Sequence, residues 1–412
     1  MISSKENAFL RTIQAVYHGV EVERDLVNFV YLSPQFPPNY QDFVRALHEI
    51  GVRVLGVGET PYADLGTPLQ GWLHEYYKVD SLADYDQVYR AFGHFISKHG
   101  RIDRVDSNSE HWLETEARLR LDFNLEGYRP GDMERVKRKS VMKQIYQEAG
   151  VPVARGALAS DRKAALALGR KAGYPLVAKP DIGVGAAATY RLENEEQLKQ
   201  FLDNPPEVEY FLEEYLVGQL VTYDGLANAE GDPIFTASHL FSTGIMEVVN
   251  ERADLFYWSA RVIPDDLDEM GRKVLKAFHV RKRFFHLEFF RTAQGLRALE
   301  ANLRAPGALT TNMMCYANDI DIFRVWAEVV CDRRTTVEYA RSYHVGYYGR
   351  WDERNYAHSL DEIKQRYAEE FVLHRINEEI FRKATGDNVY VLRSPDMEKL
   401  ERAREAIFEL KE

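Results

Sequence analysis

The chain has 412 residues, 45% of them hydrophobic and 28% charged, which suits a soluble globular protein of two or three domains. Its formal net charge is −11. That argues against a nucleic acid or an anionic membrane as partner, because a general phosphate-binding surface needs a basic excess; a small phosphorylated ligand, which a few local lysines can hold, stays open.

The first stretch, MISSKENAFLRTIQAVYHG, lacks the continuous apolar core of a signal peptide. Phe9, Leu10, Ile13, Val16 and Tyr17 are spaced for one face of a short helix that packs on the body or on a second subunit, so a homodimer is among the expectations. No run approaches the ~18 apolar residues of a membrane span. The two cysteines, Cys315 and Cys331, fit no CxxC or zinc spacing and are expected as reduced thiols of a cytoplasmic protein.

From residue 26 strands and helices alternate. LVNFVYLS, VRVLGVG, YYKVD and IDRVD read as strands, and YQDFVRALHEIG, YDQVYRAFGHFISKHG and the stretch from Glu110 to about Phe123 read as helices. This rhythm predicts a parallel sheet with helices on its faces, over residues 1–125. The loop after the first strand, SPQFPPNY, leaves a carboxyl end, where open parallel sheets bind ligands, so Ser33, Gln35 and Asn39 are candidate substrate contacts. A proline-stiffened turn without a ligand is the competing reading.

A second unit, residues 126–332, opens with one predicted helix, MERVKRKSVMKQIYQEAG. There follow VPVARGALA, a helix DRKAALALGRKAG, a strand YPLVAKP, a loop DIGVGAA, a strand ATYRL, a further helix, a strand EYFLEEYL and then mostly strands up to LEANL. From residue 333 the chain holds YHVGYYGR, two helices and a last strand, NVYVLR, before a terminal helix. The expected class is therefore α/β and α+β.

There is no GxxxxGK[ST] motif. GVGAAA fits a loose GxGxxA, but it runs into a strand, whereas a dinucleotide fingerprint must open a helix. What remains is a small-residue turn whose backbone N–H groups can fold over phosphates, with Lys179 supplying charge beside it. A plain hairpin with an exposed lysine is the alternative.

In FFHLEFFRTAQGLRALEANLRAPG two strands flank AQG. A three-residue loop with Gly295 last pairs Thr292 with Leu296, Glu288 with Glu300 and His286 with Asn302. Alternation then puts Glu288, Glu300, Asn302 and Arg304 on one face, with Leu299, Ala301 and Leu303 packed behind. Two opposed carboxylates about 5 Å apart repel. A hard divalent cation such as Mg²⁺ resolves this, since it prefers carboxylate and amide oxygens and bridges to phosphates. A solvated polar face and a zinc site of His286, Glu288 and Glu300 are the weaker readings.

Between roughly residues 130 and 310 this ordered set resembles the ATP-grasp superfamily of carboxylate–amine ligases. Lys139, eleven residues before GVPV, is similar to the first ATP-binding lysine of that family, and Lys179 with Gly183, Gly185 and Ala186 to the second lysine and glycine-rich lid. FLEEYLVG resembles the hinge, where Glu213, Glu214, Tyr215 and Leu216 surround the adenine. The family's ribose-binding acid is replaced by Leu220, which leaves Asp224 as the candidate for that contact.

The resemblance implies an N-terminal pre-ATP-grasp domain (1–125), an ATP-grasp domain (126–332, lid about 140–212) and a small C-terminal α+β domain (333–412). It implies an ADP-forming ligase that makes an acyl phosphate and passes it to an amine, with ATP and two Mg²⁺ (Mn²⁺ as the alternative ion) held by Glu288, Glu300 and Asn302. Arg304 is then the catalytic arginine. Arg252, Arg261 and His286 are the further substrate candidates, while His239, Tyr257 and Trp258 are expected in the core. The partners are a small carboxylic acid and an amine. A bicarbonate-activating carboxylase and a non-catalytic ATP-binding protein are the rival functions.

Overall fold

The computed structural model describes residues 26–183, 188–242, 248, 252–333 and 337–411; the helix expected over residues 9–17 lies outside them. Five consecutive buried residues make β1 (Asn28–Leu32) a strand covered on both sides, as parallel sheets require. It pairs in parallel with β2 (Arg53–Gly58) and β4 (Arg104–Asp106), and β2 with β3 (Glu75–Lys78), giving the order β3-β2-β1-β4. The helices Gln41–Glu49, Tyr85–His99 and Leu113–Asp122 lie at the predicted positions. Asp84 caps the second by accepting from the N–H groups of Asp86 and Gln87.

The predicted helix over residues 133–150 is broken. It forms Met133–Lys137 and Lys139–Glu148, with Arg138 extended between them (φ −91°, ψ 113°). The cause is Asp181. Its carbonyl accepts from the Lys139 N–H, and its carboxylate accepts from the N–H and Oγ of Ser140. Asp181 thus satisfies the first donors of the second helix from outside, and Lys139 becomes its first residue.

A small antiparallel sheet follows, in the order β5-β8-β6-β7: β5 (Gly156–Leu158), β6 (Leu176–Pro180), β7 (Tyr190–Leu192) and β8 (Tyr210–Glu214). The helices Arg162–Ala172 and Glu195–Asp203 cover it through Leu168 and Leu198, packed on Leu176 and Leu212.

The largest sheet holds β9 (Gln219–Ala227), β10 (Pro233–Ala237), β11 (His239–Phe241), β12 (Leu255–Ser259), β13 (Arg283–Thr292), β14 (Gly295–Asn302), β15 (His344–Arg350), β16 (Phe371–Ile376) and β17 (Asn388–Ser394). Its order is β14-β13-β9-β11-β12-β15-β17-β16, with β10 paired to β9. The C-terminal strands therefore prolong the central sheet through β12 and β15. β16 is an element the sequence reading left out. It is an edge strand, partly buried along nearly all its length, so it lacks the buried–exposed alternation that marks a strand. The segment read as mostly strands also contains the helix Asp265–Ala277.

The N-terminal sheet is fastened to the central one by aromatic packing. The Phe43 ring meets Phe284 of β13, Phe323 and Trp326 edge-on, at centroid distances of 5.9, 4.8 and 4.8 Å. Gly225 in the middle of β9 is required by close approach, because a Cβ there would sit 2.0 Å from the carbonyl oxygen of Phe235 on β10. Gly225→Ala is expected to cost about 3 kcal/mol through overpacking and to lower the melting temperature by several degrees in a calorimetric scan; an unchanged melting temperature would contradict the packing described.

Candidate active site

The hairpin β13–β14 brings Glu288 opposite Glu300, as predicted, but by a different route. The turn has two loop residues, Ala293 and Gln294, with Thr292 paired to Gly295, Arg291 to Leu296 and Phe289 to Ala298. That register alone would set Glu288 against Leu299. A β-bulge between the Phe289 and Glu288 pairs adds one residue on β14 and restores Glu288↔Glu300, Leu287↔Ala301 and His286↔Asn302. The packed side accordingly runs Leu296, Ala298, Ala301, Leu303, with a step of three in the middle, and Leu299 is not part of that core.

The bulge lies where two distant segments of the chain meet the strand. Ala298 N–H donates to the Pro152 carbonyl, and Ala298 O accepts from Lys143 Nζ at 3.1 Å.

Glu288, Glu300 and Asn302 lie together: Asn302 Nδ2 donates to Glu288 Oε1 at 3.2 Å, and both carboxylates are about one-fifth exposed. Among the described residues no group of three or more His, Cys, Asp or Glu is arranged to hold a metal ion.

β9 continues the row, with Asp224 beside His286 and Thr222 beside Glu288. Asp224 is fully buried. Oδ1 accepts from His286 Nδ1 at 2.6 Å, and Oδ2 meets His239 Nδ1 at 2.7 Å and the Thr222 hydroxyl. Burial opposes its charge, but the two imidazoles hold its carboxyl well below the usual range. The acid expected at the ribose is thus enclosed between two histidines, which it orients. Burial likewise disfavours the His286 imidazolium, yet Asp224 and then Glu288, at 3.3 Å from Nε2, push its pKa up to about 10. His239, 1% exposed, belongs to the core as expected, and so does Tyr257.

The lysines close the opposite side. Lys139 Nζ lies 3.1 Å from Glu300 Oε1 and donates to Gly183 O at 2.9 Å. Lys179, at the end of β6, and Lys143 both contact the carboxylate of Glu213, the latter at 2.6 Å. Glu213 and Lys143 are buried and Lys179 nearly so, and burial resists Glu213's charge, but the two ammonium groups hold its pKa down at about 2. Glu214 turns to Arg155 at 2.7 Å, and Tyr215 lies under Arg191. Tyr215 and Leu216 belong to an irregular link between β8 and β9. Gly185 and Ala186 lie outside the described residues.

Arg304 is held by a residue that follows the N-terminal sheet: Nε and Nη2 donate to Glu110 Oε2 at 3.0 and 2.8 Å. The loop after β1 reaches the same region, since Asn39 donates to Ala308 O at 3.0 Å and meets Asn312. In that loop the Ser33 hydroxyl donates to Phe36 O, and Gln35 Oε1 is buried without a partner among the described residues.

Arg252 and Arg261 are not brought to this row. Arg252 pairs with Glu353 at 2.7 Å, and Arg261 donates to the carbonyls of Arg341 and Pro395. Arg341 donates to Thr236, and Arg350 is buried against the carbonyls of Ile407 and His358.

No family model matches the chain. Solved structures do. An L-amino acid ligase from Bacillus licheniformis superposes with a TM-score of 0.71 at 15% identity, over 94% of this chain and 98% of that one. N5-carboxyaminoimidazole synthetase from Staphylococcus aureus, complexed with ADP, gives 0.71 at 14% identity, over 93% and 97%. The chain has an ATP-grasp fold. The biotin carboxylase domain of the Hydrogenobacter thermophilus 2-oxoglutarate carboxylase, in complex with MgADP, ADP and bicarbonate, shares it with a TM-score of 0.67 at 14% identity, over 94% and 91%. At these identities the likeness is one of fold.

Within this fold two residues stand at the site that the sequence reading missed. Lys143 had a local signal, since it is one helical turn after Lys139 on the same helix. Glu110 had none, because its meeting with Arg304 bridges 194 positions.

Proposed function

We propose that the chain is an ATP-dependent, ADP-forming ligase that activates a small carboxylate as an acyl phosphate and couples it to an amine. The observation that carries this reading is that Glu288, Glu300 and Asn302 adjoin Lys139, Lys143 and Lys179, through the Lys139–Glu300 contact and the Glu213 carboxylate shared by Lys143 and Lys179. Hard oxygen donors on one wall and ammonium groups on the other suit the magnesium complex of a nucleoside triphosphate. On this reading residues 1–125 are the N-terminal domain, 126–332 the nucleotide-binding domain with its lid near 140–212, and 333–412 the C-terminal domain of a cytoplasmic enzyme.

A carboxylate is a poor electrophile because its leaving group would be oxide. Transfer of the terminal phosphoryl group of ATP to one carboxylate oxygen gives ADP and an acyl phosphate. An amine then adds to the acyl carbon, phosphate leaves with the former carboxylate oxygen, and the nitrogen loses a proton. Lys139 and Lys179 hold the nucleotide phosphates, and Lys179 exchanges its partner Glu213 for them. Glu288, Glu300 and Asn302 would hold the magnesium, whose charge would offset that of the phosphoryl group being transferred. Arg304, aimed by Glu110, steadies the charge that develops on the transferred group or on the tetrahedral adduct. His286, fixed by Asp224, stands beside Glu288. Ser33 and Gln35 are the proposed substrate contacts from the N-terminal domain.

The test is a screen of pooled carboxylic acids and amines with ATP and magnesium, read for nucleotide products and for mass. The reading predicts ADP and a product lighter than acid plus amine by one water. Turnover that needs bicarbonate and one amine would instead make it a carboxylase, and nucleotide binding without turnover would make it a non-catalytic protein.

A further inference from the structure

A cavity of about 210 Å³, walled by apolar surface and by charged side chains, lies apart from the candidate active site, where β4, the connector at residues 126–128 and the turn before β13 meet. Its walls carry a surplus of cations. Arg104 and Lys282 are matched, since both reach Glu126 and Asp332. Arg120 donates to Val105 O at 2.8 Å and to Glu116 at 2.9 Å, with Asp106 at 3.8 Å. Arg281 and Arg283 form no salt bridge among the described residues.

In two of these guanidinium groups one nitrogen is left unsatisfied inside the protein. Arg120 is 2% exposed and Arg283 9% exposed, and Nη1 of each is buried with no hydrogen-bond partner among the described residues. A buried charged donor left without an acceptor is costly, and such groups are retained where an anion supplies the acceptor. Arg283 is held in place over the Tyr128 ring, 4.2 Å from its centroid, so its fork is fixed before any ligand arrives.

We propose that this cavity binds a phosphate group, free or carried on a small metabolite, with Arg120 and Arg283 as its buried donors and Arg281 at its exposed rim. Guanidinium forks match the oxygens of a phosphate better than any other side chain does. The site would communicate with the active site along short paths. Arg283 opens β13 three residues before His286, and Glu116, the partner of Arg120, lies six residues after Glu110, which holds Arg304.

The experiment is calorimetric titration of the full chain, saturated with MgADP, with inorganic phosphate and separately with glycerol phosphate. Arg283→Met and Arg281→Gln are compared with Lys179→Met, which alters only the nucleotide side. Saturable binding of either probe that persists in Lys179→Met and weakens at least tenfold in both arginine variants is the expected result; the better probe tells a free phosphate from a phosphomonoester. Absence of saturable binding, unchanged affinity in the arginine variants, or loss in Lys179→Met alone would overturn the proposal. Should circular dichroism show Arg283→Met unfolded, Arg281→Gln at the exposed rim decides the question by the same criterion.

Discussion

Glu300→Gln is expected to reduce turnover by roughly 10²–10³-fold, about 3–4 kcal/mol of transition-state stabilisation, the scale of one strong charge-stabilising group in a water-poor site. The carboxylate stands directly across from Glu288 and beside Asn302, so the amide removes one of two negative oxygens that would grip the metal while keeping the shape of the strand. Stability should change by less than about 1 kcal/mol. The variant loses the 3.1 Å contact to Lys139, but it also removes like-charge repulsion across the hairpin. Steady-state kinetics against free magnesium, together with a melting curve, separates the two effects. The magnesium dependence should shift upward while the melting temperature holds. Turnover equal to the parent chain at every magnesium level would remove the metal assignment.

Glu213→Ala should cause the largest loss of stability, about 3–5 kcal/mol, because it strands two buried ammonium groups that now share one carboxylate. Removing a lysine is milder, since Glu213 keeps the other. The pair also sets an acid limit. A carboxyl whose pKa falls to about 2 on folding, from near 4.5 unfolded, contributes stability that is fully present above pH 4.5 and disappears as pH drops toward 2. In chemical denaturation between pH 6 and 2 the parent chain should lose stability more steeply than Glu213→Ala. Parallel slopes would mean that Glu213 does not carry the charge assigned to it.

How far the sequence disclosed this arrangement differs from element to element. The parallel N-terminal sheet was legible because its two central strands, β1 and β2, are mostly apolar runs and the helices Gln41–Glu49 and Tyr85–His99 have a clear apolar face. The hairpin pairing was legible only because two departures cancel: the turn is one residue shorter than the position of Gly295 suggested, and the bulge at β14 restores the lost residue. No local pattern announces such a bulge, whose Ala298 carbonyl accepts from Lys143 on a distant helix. The break before Lys139 was hidden for a similar reason, since its cap, Asp181, comes from 41 or more residues away. Asp224 was visible as an acid near the hinge, but its enclosure by His239 and His286 depends on strand order, which sequence spacing does not specify.

The central claim, that a carboxylate is activated by phosphorylation, is tested most directly by following oxygen. An acid substrate found in the screen is supplied with ¹⁸O in its carboxylate, and the released phosphate is analysed by mass. Phosphorylation of the carboxylate requires one labelled oxygen to leave with phosphate, beside unlabelled ADP, for each amide formed. Unlabelled phosphate, or label recovered in AMP, would contradict it.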